Sequence, residues 1–306
     1  MPAYQIELMK KIILLPAIVI ILIIVTVVPS CKNADAPAGS VFKFNLAKDK
    51  QYDYEIIWDM DQKVMDKDSK INLLAGYSFE ITEEKDKIKT LRGVYKNFRL
   101  YMKIMDMEID IDTDKPVSNM SEDDQMGLMK KVFTGIKGKA FMMKVDEEGN
   151  VQSVSGFDEI INGMVDSAGV DEDMKLQMKV SLRDQFNEQE LKNQFAQVFM
   201  IFPNKSVKVG DSWQKKYRMG GKMPADFSTT YTAKKMEGDQ ITLDAKTIIG
   251  SAGGKTAVSG EQNGTLLVDI KTGLVINAEF SQSMDTKTED LAIKINGKGK
   301  DKGKER

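Results

Sequence analysis

Two long blocks of alternating sequence constrain the fold of this 306-residue chain more than any other feature. From Phe42 to Thr113, and again beyond Pro203, apolar and polar residues alternate with a period of two. This period is typical of strands that bury one face. Clusters of Lys, Asp and Gly separate the apolar segments, so the connections between strands are short. Short connections predict antiparallel pairing, because parallel neighbours need a long crossover.

Helical periodicity replaces the alternation between the two blocks. Ser121 and Asn187 are candidate N-caps there, and Pro203 ends the last helical pattern. The predicted elements are helices over about 121–136, 155–169, 171–186 and 187–202, and a β-hairpin over 139–154. We therefore predict an α+β fold, with mainly antiparallel curved sheet and a central helical insertion. The pattern leaves open whether the sheet is continuous or divided into two halves.

These segments are expected to form one domain over residues 42–295. Its parts are strands within 42–114, the helices and hairpin within 119–202, and strands within 212–295. The last residues, 296–306 (NGKGKDKGKER), are basic and rich in glycine. Such a composition lacks apolar side chains to bury, so it predicts a disordered tail.

The chain has no histidine and a single cysteine. Ser-His-Asp and Cys-His nucleophiles, histidine-based zinc or haem sites and intrachain disulfides are therefore excluded. Lys and Arg number 44 against 46 Asp and Glu, so the charge gives no reason to expect a nucleic-acid partner. We expect no cofactor and no enzymatic activity. An enzyme based on Asp or Glu ranks last among the functions, because no set of such residues stands out.

The first thirty residues have the pattern of an export signal. Lys10 and Lys11 precede a 17-residue apolar run over 12–28, and small residues follow it. We predict that residues 1–30 are a signal peptide and that translation starts at Met9, which makes the two lysines its charged region. A retained anchor helix is the alternative, but a membrane-spanning helix needs about 20 apolar residues.

The only cysteine follows this run directly. The sequence Val28-Pro29-Ser30-Cys31 resembles the lipobox of bacterial lipoproteins, in which the cysteine becomes the mature N-terminus and carries lipid. The resemblance implies diacylglycerol and palmitate on Cys31, with a membrane as the partner of that lipid. Residues 31–41 are then a flexible tether, because they are small, polar and rich in Pro and Gly.

Two further stretches carry a family resemblance. Residues 207–213 (VKVGDSW) and 264–275 (GTLLVDIKTGLV) are similar to runs in uncharacterised Bacteroidetes-type lipoproteins of a domain-of-unknown-function family. The first stretch also indicates a turn at Gly210 that delivers Trp213 to the core. The resemblance implies a lipid-anchored protein of the outer membrane, on its periplasmic or its surface face, and it implies no activity.

Acidic residues alternate along one predicted strand face near the end of the first block. Successive carboxylates on such a face are ~7 Å apart, too far for one ion without a turn. We expect this face to pair with basic residues, for which Lys85, Lys87 and Lys89 are the candidates, and we expect no metal. The weak candidates for a hard cation are Asp106, Glu108, Asp110 and Asp112.

Methionine is abundant, with 20 residues in the chain. Thioether side chains fill cores and also adapt to varied apolar ligands.

The first functional hypothesis is a binding or envelope-scaffold module whose partner is a ligand or an envelope protein. The alternative is a carrier of lipid or another hydrophobic ligand in a Met-rich cavity, loosely similar to the half-barrel lipoprotein-sorting proteins. An apolar cavity of about 300 Å³ or more would favour the carrier, and two converging carboxylates would favour an enzyme.

Overall fold

The computed structural model describes residues 41–64, 67–104, 107–116, 125–220, 224–253, 256–288 and 292–306. The predicted signal peptide, Cys31 and the cap Ser121 lie outside these residues. The described strands are β1 (Val41–Phe42), β2 (Gln51–Val64), β3 (Lys67–Lys85), β4 (Ile88–Ile104), β5 (Met107–Asp112), β6 (Ala140–Asp146), β7 (Val151–Ser155), β8 (Lys205–Ser206), β9 (Ser212–Met219), β10 (Ala225–Glu237), β11 (Gln240–Ser251), β12 (Ala257–Asp269), β13 (Val275–Lys287) and β14 (Ala292–Glu305). The described helices are α1 (Gln125–Thr134), α2 (Phe157–Ala168), α3 (Glu172–Gln185) and α4 (Glu188–Phe199).

Twelve of the described strands form one open antiparallel sheet. Its order is β7-β6-β4-β3-β2-β14-β13-β12-β11-β10-β9, and β5 pairs with β4 beside β6. Strands β1 and β8 pair separately. The antiparallel prediction is confirmed, and the two strand blocks join into a single sheet through β14 and β2. The fold is mainly β, with four described helices, so the predicted α+β class gives the helices too large a share.

The strands are longer than predicted because they run through glycines that the pattern treats as breaks. Gly93 lies within β4, and a Cβ atom there would be 2.4 Å from the ring of Phe141. Gly264 lies within β12, where a Cβ atom would be 2.8 Å from the Cβ atom of Ala245. These glycines admit side chains from neighbouring strands, which is a common role of glycine inside a strand.

The predicted disordered tail is wrong. Residues 296–305 form most of β14, between β13 and β2 in the middle of the sheet. Outward and inward positions alternate strictly along this strand. Its inward positions in this stretch are Gly297, Gly299, Asp301 and Gly303. The glycines have no side chains to bury, but the strand is buried because aromatic neighbours such as Trp58 lie over it, as at Gly299.

The helix predictions are confirmed for the described part of the chain, with shifted ends. Asn187 caps α4 as predicted, because its side chain accepts a hydrogen bond of 3.0 Å from the Glu190 N–H. Helix α4 ends at Phe199, before the predicted limit at residue 202. Helix α2 starts after Gly156, which adopts a left-handed conformation with φ of 89°.

Helix α4 contacts both edge strands of the sheet, β7 and β9. The sheet therefore curves until one helix bridges its two edges. Helix α1 packs on α2, and α2 packs on α3 and β6. One hydrophobic core fills the space between the inner face of the sheet and these helices. No helix in the described ranges has the length and apolar character needed to cross a membrane.

Candidate functional site

One register of inward-facing residues runs across nine strands of the sheet, and we call it the inner row. Its members are Thr229, Thr247, Gln262, Gln282, Gly297, Met60, Ile71, Met102 and Ile109, in the order in which they pair across the strands. The four residues before Gly297 are polar, and the four after it are apolar. We call these the polar half and the apolar half of the inner row.

The polar half is buried and only partly satisfied. The hydroxyl groups of Thr229 and Thr247 are 2.8 Å apart and share a hydrogen bond. Gln282 is only 4% exposed, and neither polar atom of its amide has a hydrogen-bond partner within the described residues. The hydroxyl of Thr286, four residues further along the same strand and on the same face, has none there either. Burying such groups without partners costs about 1–3 kcal/mol each, so stability alone does not account for this half.

A carboxyl group is buried on the same inner face. Asp301 is 3% exposed, and burial raises its pKa from 3.8 to about 7. Burial also raises the pKa of Tyr54 well above 10.0, and the charge of Asp301 adds to that rise. At neutral pH the Asp301 carboxyl is therefore distributed between its protonated and ionised forms.

Two small cavities lie near these residues, with volumes of about 30 and 20 Å³. The larger is lined by polar groups that include Gln197 of α4, Gln262 and Asp301, and the smaller by mostly apolar residues. A cavity of this size holds roughly one or two water molecules. Neither cavity has a methionine in its lining. Methionines instead fill the core, among them Met60, Met102, Met143, Met164, Met178, Met219, Met236 and Met284.

A much larger concavity of about 770 Å³ lies at the end of the sheet where β2 and β3 meet, lined mostly by residues of the outer face, and we call it the lysine cleft. It crosses β14, β2, β3 and β4 near the β2–β3 connection. Its lining residues are Asp61, Gln62, Lys63, Asp68, Ser69, Lys70, Lys103, Lys294 and Asn296. Four lysines against two aspartates give the lysine cleft a net positive charge.

The register places the lysines of the cleft beside one another. Lys294 is opposite Lys63, and Lys70 is opposite Lys103. Like charges at directly opposite positions of an antiparallel pair are unfavourable. Lys63 approaches Asp68 at 3.7 Å and Lys294 approaches Asp285 at 3.9 Å, while Lys70 and Lys103 form no ion pair within the described part of the chain. The cleft therefore holds cationic groups that the described carboxylates do not neutralise.

The sequence matches the model of a family of unknown function, DUF6263, over residues 86–275. The chain belongs to this family. The matched region extends from the turn before β4 to the start of β13, so it contains all four described helices and Lys103. Asp301 and the other three lysines of the cleft lie outside it. No curated protein matches the sequence.

Solved structures resemble this DUF6263 protein only weakly. A lipovitellin structure, titled for its lipid–protein interactions, has 6% sequence identity and a TM-score of 0.48. The match covers 85% of this chain and 25% of the lipovitellin chain, so the protein spans about a quarter of that relative. The beta domain of the Bordetella autotransporter Brka has 8% identity and a TM-score of 0.25, with 83% and 99% of the two chains covered. Neither likeness carries an argument about function.

The acidic ladder of this DUF6263 protein does not converge on a site. Asp106 lies outside the described residues, and Glu108 and Asp110 are exposed on β5. Strand β5 faces residues 99–104 of β4, so Lys103 is opposite Glu108. The predicted pairing with Lys85, Lys87 and Lys89 is wrong, because those residues lie at the other end of the β3–β4 hairpin. Among the described residues, no group of three Asp, Glu, Cys or His is placed to hold a metal ion.

Asp112, the last residue of the ladder, lies at the end of β5 and has a lowered pKa. Burial tends to raise this pKa, but hydrogen bonds from the Asp114 N–H and the Lys115 ammonium group, and the charges of Lys115 and Arg99, lower it overall. The carboxylate accepts a 3.0 Å hydrogen bond from the Asp114 N–H. These contacts make Asp112 part of a turn after β5 and give it no free coordination site.

Sequence reasoning missed Asp301 and the lysine cleft. The alternation of Gly or Asp with Lys over 297–304 is a signal for β14, because it has the period of a strand. The cleft gave no local signal, since its lysines come from four strands and meet only through the register.

Proposed function

We propose that this DUF6263 protein is a non-catalytic binding module that a lipid on Cys31 holds at the outer membrane, and that its ligand binds in the lysine cleft. The observation that carries the proposal is the contrast in size between the two kinds of cavity. The cleft has about 770 Å³, within the range of about 300–1,000 Å³ typical of ligand sites. The two small cavities on the inner face have about 30 and 20 Å³.

The titratable groups near the cavities support a binding role over catalysis. Among the described residues, Asp301 is the single carboxyl group in the lining of the larger of the two small cavities, so no second described carboxylate meets it there. Acid–base catalysis by carboxyl groups commonly needs such a pair. The chain also has no imidazole, and its one thiol belongs to the proposed lipidation site.

Native mass spectrometry of the protein purified from membranes tests the ligand-binding proposal. We expect a small-molecule adduct on the wild-type protein. Replacing Lys70 and Lys103 by glutamine should remove the adduct. The matched control replaces Lys298 and Lys302 by glutamine, which changes the net charge equally on the outer face of β14 but outside the cleft. A wild-type protein without an adduct would contradict the proposal, and so would equal loss in both variants.

The anchor is tested separately with Cys31→Ala. We expect the variant protein to leave the membrane fraction once the signal peptide is removed. Mass analysis of the mature N-terminus should then find lipid on Cys31 in the wild type. Continued membrane association of a processed Cys31→Ala protein would show that lipid on this residue is not the anchor.

A carrier of hydrophobic ligands is the second candidate, and the buried polar groups of Gln282 and Thr286, which have no partners among the described residues, favour it. Gln282 and Thr286 lie inside a sheet whose two edges α4 bridges. Movement of α4 would open the interior and let the polar end of a lipid reach these groups. The carrier predicts an adduct with the mass of a lipid that survives the Lys70→Gln, Lys103→Gln change. An adduct lost with those lysines supports the cleft instead.

A further inference from the structure

We infer that the lysine cleft binds a multivalent oxyanion of the phosphate type. This inference rests on the proposed function, because it names the ligand class of the same cleft. A lysine ammonium group is a compact charge with three donors, and it is a common phosphate ligand in proteins. The chemistry of the lining residues therefore favours an anion with several charged oxygens.

The spacing of the lysines favours a multivalent anion over a simple carboxylate. Lys294 and Lys63 are opposite one another, as are Lys70 and Lys103. Lys63 and Lys70 are diagonal neighbours on β2 and β3, at a spacing of roughly 7–8 Å between backbones. The four ammonium groups thus form a zigzag across four strands. An anion with charge at more than one centre can contact both opposed pairs, whereas a single carboxylate can contact one.

A chain of hydrogen bonds on the inner side of the sheet supports the floor of the cleft. The Gln62 side-chain amide on β2 donates to the Ser69 hydroxyl on β3 at 3.2 Å. That hydroxyl donates to the carbonyl oxygen of Lys103 on β4 at 2.9 Å. Gln62 and Ser69 are both buried. These bonds hold three strands in fixed register, so the backbone positions that carry Lys63, Lys70 and Lys103 are set before any ligand arrives.

The aspartates of the cleft do not prevent anion binding. Asp68 is highly exposed, and its contact with Lys63 is a loose 3.7 Å surface pair. Exposed ion pairs of this kind contribute little to stability, so a ligand can replace Asp68 as the partner of Lys63. Asp61 is opposite Lys70 in the register, and the two form no ion pair within the described residues. Asp61, Lys70 and Lys103 lie side by side on three neighbouring strands. Asp61 therefore repels an anion that contacts Lys70 without also reaching Lys103.

The cleft lies at the end of the sheet away from the proposed tether. The chain enters the domain at Val41, and Tyr52 is held near that end by a hydrogen bond of 2.8 Å from the Ala47 N–H. Ten residues of β2 separate Tyr52 from Gln62, a span of roughly 33 Å along an extended strand. The cleft and the point where the proposed tether joins the domain therefore lie at opposite ends of β2. This geometry favours a free anion over a lipid headgroup of the anchoring membrane.

Calorimetric titration of the full protein in neutral detergent with inorganic pyrophosphate tests the inference. At low ionic strength we expect saturable binding to one site. The Lys70→Gln, Lys103→Gln variant should bind at least about tenfold more weakly, since each hydrogen bond to a charged group is worth about that factor. The Lys298→Gln, Lys302→Gln control should stay within about twofold, because its lysines lie outside the cleft. If pyrophosphate binding weakens equally in both variants, it depends on the net charge of the protein and not on the lysines of the cleft. That result would overturn the inference.

Two further arms define the ligand and its source. Acetate should bind at least about tenfold more weakly than pyrophosphate, because one carboxylate contacts fewer lysines. Equal affinity for acetate would overturn the preference for a multivalent oxyanion. Micelles doped with phosphatidylglycerol then distinguish the two sources of phosphate. If doping lowers the affinity for pyrophosphate tenfold, a lipid headgroup competes for the cleft and is its ligand. If the affinity is unchanged, the ligand is a free anion.

The inference and the proposed function can fail separately. If pyrophosphate does not bind at millimolar concentration, the phosphate-type ligand is wrong. In that case a native adduct that still depends on Lys70 and Lys103 would leave the binding module intact with another ligand. If the native adduct is absent as well, both the ligand class and the cleft as a binding site are wrong.

Discussion

The two halves of the inner row occupy the same level of one sheet but differ in chemistry. In the apolar half, Met60, Ile71, Met102 and Ile109 are buried in one hydrophobic core. In the polar half, the corresponding positions carry two threonines and two glutamines. Both halves are covered, so solvent exposure does not explain the difference.

The difference shows which part of the sheet is built for stability alone. Apolar burial contributes roughly 25 cal/mol for each Å² removed from water, without any need for partners. A buried amide contributes only when its hydrogen bonds are made. Gln282 does not make them within the described residues. We therefore interpret the apolar half as the stable frame and the polar half as a region that retains polar groups at a cost in stability.

Ile71→Gln gives the apolar half the chemistry of the polar half, and it should have the largest effect. Ile71 is 2% exposed, so the change removes apolar burial and adds an amide without partners. We expect a loss of about 4–5 kcal/mol in the free energy of unfolding, measured by urea denaturation. Lys70→Gln places the same amide on the outer face of the same strand and should change stability by less than about 0.5 kcal/mol. Similar losses in both variants would show that the buried position of Ile71 does not require an apolar side chain, and would refute the contrast between the two halves.

Asp301, on the same inner face as the polar half, makes the free energy of unfolding of the protein depend on pH. Its pKa in the folded protein, about 7, is raised above the 3.8 of an exposed aspartate. As the pH rises from about 4 to about 7, the unfolded chain loses this proton while the folded protein keeps it. Unfolding is therefore favoured, by up to about 4 kcal/mol once the pH exceeds 7. The charged or titratable groups that interact with Asp301 are the buried Tyr54 and Tyr77, which ionise only at high pH.

Asp301→Asn should remove this pH dependence. The amide cannot ionise, so the variant should be more stable than the wild type at pH 8 and close to it at pH 4. Thermal unfolding at both pH values measures the difference. Glu305→Gln is the control, because Glu305 lies near the end of the same strand and is exposed. Equal pH profiles for the wild type and Asp301→Asn would show that the buried carboxyl does not control the stability.

Local patterns were sufficient to predict the helices. The stripe of Ile160, Ile161, Met164 and Val165 follows helical spacing, and all four residues are buried on α2. Asn187 was recognised as a cap because its side chain and Glu190 lie within one helical turn. Such signals are local, so they do not depend on how distant segments meet.

The inner row and β14 could not be derived in this way. Gly297 and Gly299 contribute no apolar side chain, and the residues that cover them, such as Trp58, come from a strand more than 200 residues earlier. The polar half depends on register as well, because Thr229, Thr247 and the two glutamines become neighbours only when four strands align. Composition alone therefore favoured disorder for a segment that lies in the centre of the sheet.

The threonine pair tests whether the satisfied part of the polar half is stabilising. Thr247→Val removes one partner of the 2.8 Å hydrogen bond and leaves the buried Thr229 hydroxyl without it. We expect a loss of about 1–2 kcal/mol in the free energy of unfolding. Replacing both threonines by valine should cost less than the sum of the two single losses, because neither threonine hydroxyl is left without the other, although the buried Tyr231 hydroxyl then loses its hydrogen bond to Thr229. Additive losses in the double variant would show that the hydroxyls do not depend on one another.

Gln282→Met is the smallest change, and it should alter stability in the opposite direction. Methionine has nearly the shape of glutamine but no polar atoms that need partners, so removing the unpaired amide should stabilise the protein by about 1 kcal/mol. Gln214→Met, on the exposed face of β9, is the control and should be neutral. If Gln282→Met instead destabilises the protein, the amide of Gln282 makes stabilising hydrogen bonds in solution. The polar half would then carry no cost in stability relative to the apolar half.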